Sequence, residues 1–449
     1  MSVRIRLAEI MEALSRALDM TEGQPPGHCI RVCFIGMRMA DHLALDANSR
    51  QDLYYTLLLK DLGCSSNAAR ICELYLADDL TFKGDFKRID GSLSGALRFV
   101  LSHTGMQAGL AERFRSIIHI LRNGGEIVTE LIETRCQRGA EIARQMRFSE
   151  GVARGILDLD EHFNGKGRPQ GLRGQGISLF ARIALLAQVA DVFAIHDGPD
   201  AAIREVVGRS GEWFDPHLVD AFLKAASCPG FWETHSSSHI DRIVLDTEPA
   251  QQAIYADESY LDDIAAGFAR VVDAKSPFTS GHSERVALYT DMIAEEMGYD
   301  ADRRRLVKRA ALLHDIGKLG VSNSILDKPG KLSEGEWEQM RLHALHSERI
   351  LSHISAFRQL AVIGGAHHEK LDGSGYPRGL QGHQIDMDTR IVSTADVFDA
   401  LTADRPYRKA MPIAAALEIL HAGAGKAHDI TCINALERAL ARSELSMVA

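Results

Sequence analysis

The strongest constraint on this chain is that it repeats itself. GHCIRV at 27–32 stands 254 positions before GHSERV at 281–286, and with no gap LLKDLG at 58–63 then falls on LLHDIG at 312–317. Further on, GKGRPQGL at 165–172 matches GSGYPRGL at 373–380, and ADVF occurs at both 190–193 and 395–398. Four blocks returning in the same order imply two copies of one folding unit. A chain of 449 residues gives each copy room for its own core. The expected domains are 1–245 and 246–449, the second led in by a linker helix behind the polar stretch TEPAQQAIYADES at 247–259. Asp61 and Arg135 lie 74 positions apart, whereas their counterparts Asp315 and His343 lie 28 apart. The first copy therefore carries an insertion, and that insertion has helical periodicity of its own.

The repeated unit reads as all-α. Apolar residues return at spacings of three and four, and alternating β-type runs are scarce. Between Gly281 and Met297, Val286, Tyr289, Ile293 and Met297 share one face, with Pro277 upstream and Gly298 just past the end. A second helix is expected from about Ala301 to Ile316, with Leu306, Val307, Ala310, Leu313 and His314 on one side. The most apolar stretch, 181–195, is interrupted by Arg182, Gln188 and Asp191, so no membrane span is expected. The seven cysteines are scattered without a C-x-x-C pair, as in a reduced, cytoplasmic protein, and offer no thiolate metal framework. A net charge of −10 argues against a nucleic-acid polymer as partner but leaves room for one basic pocket.

Histidines and aspartates gather on the apolar faces of the second copy: His282, the adjacent pair His314 and Asp315, His343, the pair His367 and His368, and Asp396. Any one of them alone is an ordinary hydrogen-bonded core residue. Together, five histidines and two aspartates from separate helices would be costly to bury without counter-charge, and metal removes that cost. Seven ligands exceed the needs of one tetrahedral ion, so two ions sharing a bridging group fit better, with Asp315 as the bridge. Imidazole and carboxylate without thiolate favour iron or manganese, with zinc, nickel or magnesium as the alternatives.

HDIGK at 314–318, HHEKLDGSGYP at 367–377 and DALTADRPYR at 399–408, in this order and spacing, resemble the HD-GYP phosphodiesterases, a branch of the HD metal-dependent phosphohydrolases. The resemblance covers about 130 residues of the second copy. It implies two tandem HD-type helical bundles, the second built around a metal centre that opens cyclic dinucleotides by metal-activated hydroxide attack. Carried over residue by residue, the metal ligands are the seven residues above, Lys318 contacts the scissile phosphate beside Asp315, and Gly375, Tyr376, Arg405 and Arg408 line the nucleotide site. The competing structural roles are a tight turn for Gly375, inward packing for Tyr376 and plain surface charge for the two arginines. Relatives with a third metal carry glutamate where Phe278 stands here, so a binuclear site is expected. Ser347 replaces a usual glycine without expected consequence.

The first copy keeps His28, Asp61 and Asp191. Lys60 replaces the first histidine of the HD pair, Cys64 the following lysine, Arg135 the counterpart of His343, Leu159 and Asp160 the histidine pair, and Arg168 the tyrosine. Cationic side chains there would repel the ions they replace. This copy is expected to be inert and to serve as a brace, a homodimer or signalling-partner surface, or a ligand sensor. Cyclic di-GMP is the leading substrate expectation. A preference for 3′,3′-cyclic GMP-AMP is the alternative within the same chemistry, and a silent signalling adaptor is the alternative from another class.

Overall fold

The computed structural model describes residues 5–87, 93–106, 109–249, 254–405 and 408–448. Part of the 247–259 connection, positions 250–253, lies outside the described residues, as do Pro406 and Tyr407 of the DRPYR segment. The chain folds as two compact units, Met1–Tyr260 and Leu261–Ala449. Among the described residues both are helical. One two-stranded antiparallel ribbon in the first unit pairs Ile5 with Ala256 and Arg6 with Tyr255.

The sequence repeat has a structural counterpart beyond the four blocks. In the first copy the helix Leu7–Thr21 leads into His28–Ala40; in the second copy, Glu258–Asp273 leads into His282–Glu296. Asp19 accepts from the backbone N–H groups of Gly27 and Cys29 at 2.7 and 2.8 Å. Asp273, 254 positions on, accepts from Ser283 N–H at 3.1 Å. Each carboxylate thereby fixes the loop that delivers the first histidine of its copy. Burial raises both carboxyls to about 6.

The insertion in the first unit folds into the helices Ala68–Tyr75, Asp79–Phe86 and Leu93–His103 and the first part of the long helix Leu110–Gln145. It closes over a satellite core of Ile71, Leu74, Tyr75, Phe82, Phe99, Ile120 and Ile127. The helix Leu179–Asp197 is long and apolar enough by length and composition to cross a bilayer, despite Arg182, Gln188 and Asp191. Here it is a core helix, with 67% of its apolar window buried. Its charges are paired: Arg182 with Asp215 at 2.5 Å, and Asp191 with His28 and Arg31 at 2.6 and 2.8 Å.

In the second unit the expected helices run from His282 to Glu296 and from Ala301 to Leu313. The second stops short of Ile316 because the chain tightens into a 3-10 turn, Ile316–Gly320. Glu334–Ser352 starts on a capping box of Ser333 and Glu336, and Met387–Thr402 on the Asp386 side chain, which accepts from Thr389 N–H at 2.8 Å. The last helix of the second unit is Ile430–Val448.

Candidate metal centre

The candidate ligands come from five separate places along the second unit, and the fold brings all seven together. His282 sits in the first turn of its helix, His314 at the end of Ala301–Leu313, and Asp315 at the start of the 3-10 turn. His343 lies within Glu334–Ser352, His367 and His368 follow Arg358–Ala366, and Asp396 lies in Met387–Thr402. Three clusters have donor atoms within 4.8 Å of one another: Asp315 with His343, His367 and His368; His282 with His314 and Asp315; and His314 with His367 and Asp396. Asp315 belongs to two of them, one through each oxygen. Its Oδ2 lies 3.4 Å from His282 Nε2 and 3.3 Å from His314 Nε2, while Oδ1 lies 3.5 Å from His343 Nε2 and 3.7 Å from His367 Nε2.

The close approach of the HDIG turn to the next helix is what makes this possible. A Cβ on Gly317 would lie 2.0 Å from the carbonyl oxygen of His343, so only glycine lets Asp315 and His343 come this near. Ser347, expected to be without consequence, accepts the Gly317 N–H at 2.9 Å and holds the turn down.

The imidazoles are oriented before any ion arrives. Nδ1 of His314 donates to Ala311 O at 2.6 Å, that of His343 to Met340 O at 2.6 Å, and that of His367 to Gly364 O at 2.8 Å. His282 Nδ1 donates to the Asp399 carboxylate at 2.7 Å. Four Nδ1 atoms thus donate outward and four Nε2 atoms face the centre, the orientation from which a deprotonated Nε2 binds metal. The donor set passes a second test of fit. His282 Nε2, His314 Nε2 and Asp315 Oδ1 are buried without a hydrogen-bond partner among the described residues, a cost that a cation relieves.

The electrostatics fall into two halves. Burial lowers His343 to about 3 and His368 to about 4 and holds His367 well below its ordinary value, so these rings stay neutral. Burial also opposes charge on His282 and His314, but the carboxylates of Asp315 and Asp396 outweigh it and raise them to about 10 and about 9. Asp315 and Asp396 are buried, which disfavours their charge. The surrounding cations and hydrogen bonds prevail, and both stay ionised.

The expected substrate contacts divide. Lys318 pairs with Asp315 through Nζ and Oδ2. The Tyr376 ring packs 4.8 Å from His368, and the Arg341 guanidinium lies 5.5 Å above it. Gly375 is required where it is, because a Cβ would lie 2.5 Å from Glu369 Cα. Arg408 spends its guanidinium on the carbonyls of Leu401, Lys409 and Ala400, so its observed role is to hold its own turn. Arg405 pairs with Arg408 through the backbone of the same turn.

Three residues were missed from the sequence. Asp399, besides holding His282, accepts from Arg285 Nε at 2.6 Å. Glu369 is buried and accepts the backbone N–H groups of Arg378 and Leu380 at 2.7 and 2.9 Å, which folds the glycine-tyrosine-proline loop back on itself. Arg341 covers the tyrosine. Asp399 lies inside a motif already singled out, and its three-residue offset from Asp396, one helical turn, is the signal that could have found it.

In the first unit, protein cations stand at the corresponding positions. Lys60 Nζ donates to His28 Nε2 at 3.2 Å and pairs with Asp61, and Arg135 pairs with Asp160. Asp191 turns to hold His28 and Arg31, the work Asp399 does in the second unit. Glu22, Asp61 and Cys64 do cluster as possible ligands, but Lys60 and Lys87 already neutralise the two carboxylates.

The family model of the HD domain matches residues 96–218 and 268–431, more than half of the chain. A 3'3'-cGAMP-specific phosphodiesterase 3 from Vibrio cholerae serotype O1 is 54% identical over 97% of this chain and 94% of its own. The cyclic di-GMP phosphodiesterase response regulator RpfG of Xanthomonas campestris is 42% identical over 39% of this chain and 47% of its own. A crystal structure of a cyclic GMP-AMP specific phosphodiesterase of V. cholerae superposes with a TM-score of 0.68 at 47% identity, covering 98% of both chains.

Proposed function

This chain belongs to the HD-domain family, in its HD-GYP phosphodiesterase branch, and from that premise we propose that it hydrolyses 3′,3′-cyclic GMP-AMP in preference to cyclic di-GMP. The carrying observation is the reach of the match. The relative named for 3′,3′-cyclic GMP-AMP aligns through both copies, whereas RpfG, named for cyclic di-GMP, aligns over 39% of the chain. The leading expectation from sequence gives way here to its alternative. Both substrates require the same chemistry, a metal-dependent phosphodiester hydrolase acting on a cyclic dinucleotide.

Two divalent cations, iron or manganese before zinc, nickel or magnesium, suit the donor set. His282, His314 and Asp315 would hold one, Asp315, His343, His367 and His368 the other, with Asp396 beside His314 and His367. When bound, the cations lower the pKa of water towards neutrality and offset charge on the phosphoryl oxygens. The protein's own part is orientation and charge. Asp315 presents one oxygen to each cluster, and the fixed Nδ1 protons keep the imidazoles from rotating. Lys318 brings a further positive charge to the side of Asp315, suited to a developing phosphoryl charge. Tyr376 forms a flat wall beside His368 for a base or ribose, and Gly375 and Arg405 belong to the loops that flank it. The first copy, with Lys60 and Arg135 in place, contributes no second centre.

The test is kcat/KM for each cyclic dinucleotide on the same manganese-loaded preparation. A ratio of about tenfold or more towards 3′,3′-cyclic GMP-AMP, some 1.4 kcal/mol of transition-state discrimination, is expected. A ratio favouring cyclic di-GMP overturns the substrate assignment and leaves the chemistry standing.

Asp399→Asn keeps the size of the side chain but removes the charge that holds His282 and Arg285. Loss of such an orienting partner is expected to cost about 10- to 100-fold in metal affinity or activity. Metal titration of the apoprotein followed by turnover checks it, and an unchanged affinity would remove Asp399 from the account.

A further inference from the structure

The insertion that distinguishes the first copy roofs a cavity over its degenerate site, where Cys64, Arg135, Asp160 and Arg168 stand at the positions of Lys318, His343, His368 and Tyr376. It encloses about 350 Å³ between the inserted helices, the later part of Leu110–Gln145 and the core helix Leu179–Asp197. Its wall is apolar, formed chiefly by Ile71, Tyr75, Phe82, Leu131, Val189 and Trp213. Tyr75 and Phe82 pack with ring centroids 4.2 Å apart.

The charge of the lining is the reverse of the chain's. Five basic side chains, Lys83, Lys87, Arg135, Lys166 and Arg168, face two acidic ones, Glu22 and Asp160. Glu22 is buried, which disfavours its charge, but the two lysines prevail and lower it to about 2, so it is a fixed counter-ion. Arg135 is committed to Asp160. Lys83 donates to the carbonyls of Thr21 and Cys64 at 3.0 and 2.9 Å. Lys87 lies 2.7 Å from Glu22, yet its Nζ is buried with no well-aligned hydrogen bond among the described residues. An ammonium has three donors, so Glu22 does not exhaust it. The Gln188 carbonyl oxygen is likewise buried without a partner on the same cavity. Rotation of that amide by a half-turn presents its NH₂ instead. A buried amide and a buried ammonium with unused capacity, under an apolar vault, form a receptor for one anionic head on an apolar body.

We propose that the first unit binds an amphipathic carboxylate, its head at Lys87 and Gln188 and its hydrocarbon between the inserted helices and Leu179–Asp197. The wall decides the class. Aliphatic and aromatic carbon outweighs polar surface in the lining, which suits a hydrocarbon body better than a nucleotide, although Asn67, His162, Lys166 and Arg168 also reach it.

The probe is sodium dodecanoate below its micellar concentration, titrated calorimetrically into the full chain. Dodecyltrimethylammonium, with the same tail and the opposite charge, is run alongside. Saturable binding near one per chain is expected for the carboxylate alone. Leu131→Trp fills the vault without touching a charge, and Lys87→Gln removes the head-group partner. Each should weaken binding about tenfold or more, the scale of a charge-assisted hydrogen bond or a filled pocket. No saturable binding, equal binding of the cationic analogue, or affinity unmoved by Leu131→Trp each overturns the proposal. Should Lys87→Gln fail to fold by circular dichroism, Leu131→Trp and the cationic analogue decide it.

Discussion

Asp315→Ala is expected to lower turnover of the cyclic dinucleotide by about a thousandfold or more, beyond the ~10–100-fold of an orienting partner, because one side chain serves both halves of the centre. Its two oxygens approach four histidines, and it also neutralises Lys318. Removing it would leave the lysine and the two raised histidines, His282 and His314, with less counter-charge, which weakens cation binding as well as chemistry. Metal content by mass spectrometry should fall together with activity. Retention of both metal and turnover would show that the bridge lies elsewhere.

Gly317→Ala should be nearly as damaging, for a steric reason. The added Cβ would meet a backbone oxygen, that of His343, at 2.0 Å, and backbone cannot swing aside as a flexible side chain can. Either the HDIG turn lifts, breaking the Gly317–Ser347 bond, or the helix Glu334–Ser352 moves and carries His343 with it. Overpacking of this kind costs about 1–3 kcal/mol in stability. The larger expected loss is in activity, roughly a hundredfold, because displacements near 1 Å at reacting groups are felt on that scale. Gly63→Ala is the matched comparison: its Cβ would lie 1.8 Å from Arg135 O, the same clash in the first unit. It should destabilise that unit while the residues of the metal cluster keep their own contacts. Equal activity in Gly317→Ala and the parent protein would contradict the tight approach.

The sequence carried the site further than it carried the surroundings. The ligands were legible because histidine and aspartate are rare on apolar faces, and because motif spacing assigned each to its own helix. Their anchoring was not legible. Three of four Nδ1 protons go to backbone carbonyls at Ala311, Met340 and Gly364, and a carbonyl leaves no mark in the identity of its residue. The early end of the helix at Leu313 was hidden for a related reason, since no glycine or proline precedes the 3-10 turn and His314 still has helical backbone angles. Arg408 read as a residue lining the nucleotide site, with plain surface charge as the alternative, because composition gives a charge and not its direction; in the fold its guanidinium donates to the carbonyls of Leu401, Lys409 and Ala400. In the first copy, loss of the ligands was plain, but the cavity was not. Part of its wall, Cys64, Arg135, Asp160 and Arg168, is visible in the alignment of the copies, but the part built by the insertion has no counterpart there.

The central claim is that the second copy alone hydrolyses a cyclic dinucleotide through a divalent metal centre. It is tested most directly by following 3′,3′-cyclic GMP-AMP by chromatography with the full chain, before chelation, after chelation and after return of manganese or iron. The account predicts turnover, its loss on chelation and its recovery with the metal. Turnover indifferent to chelation, or none from protein with confirmed metal content, would contradict it.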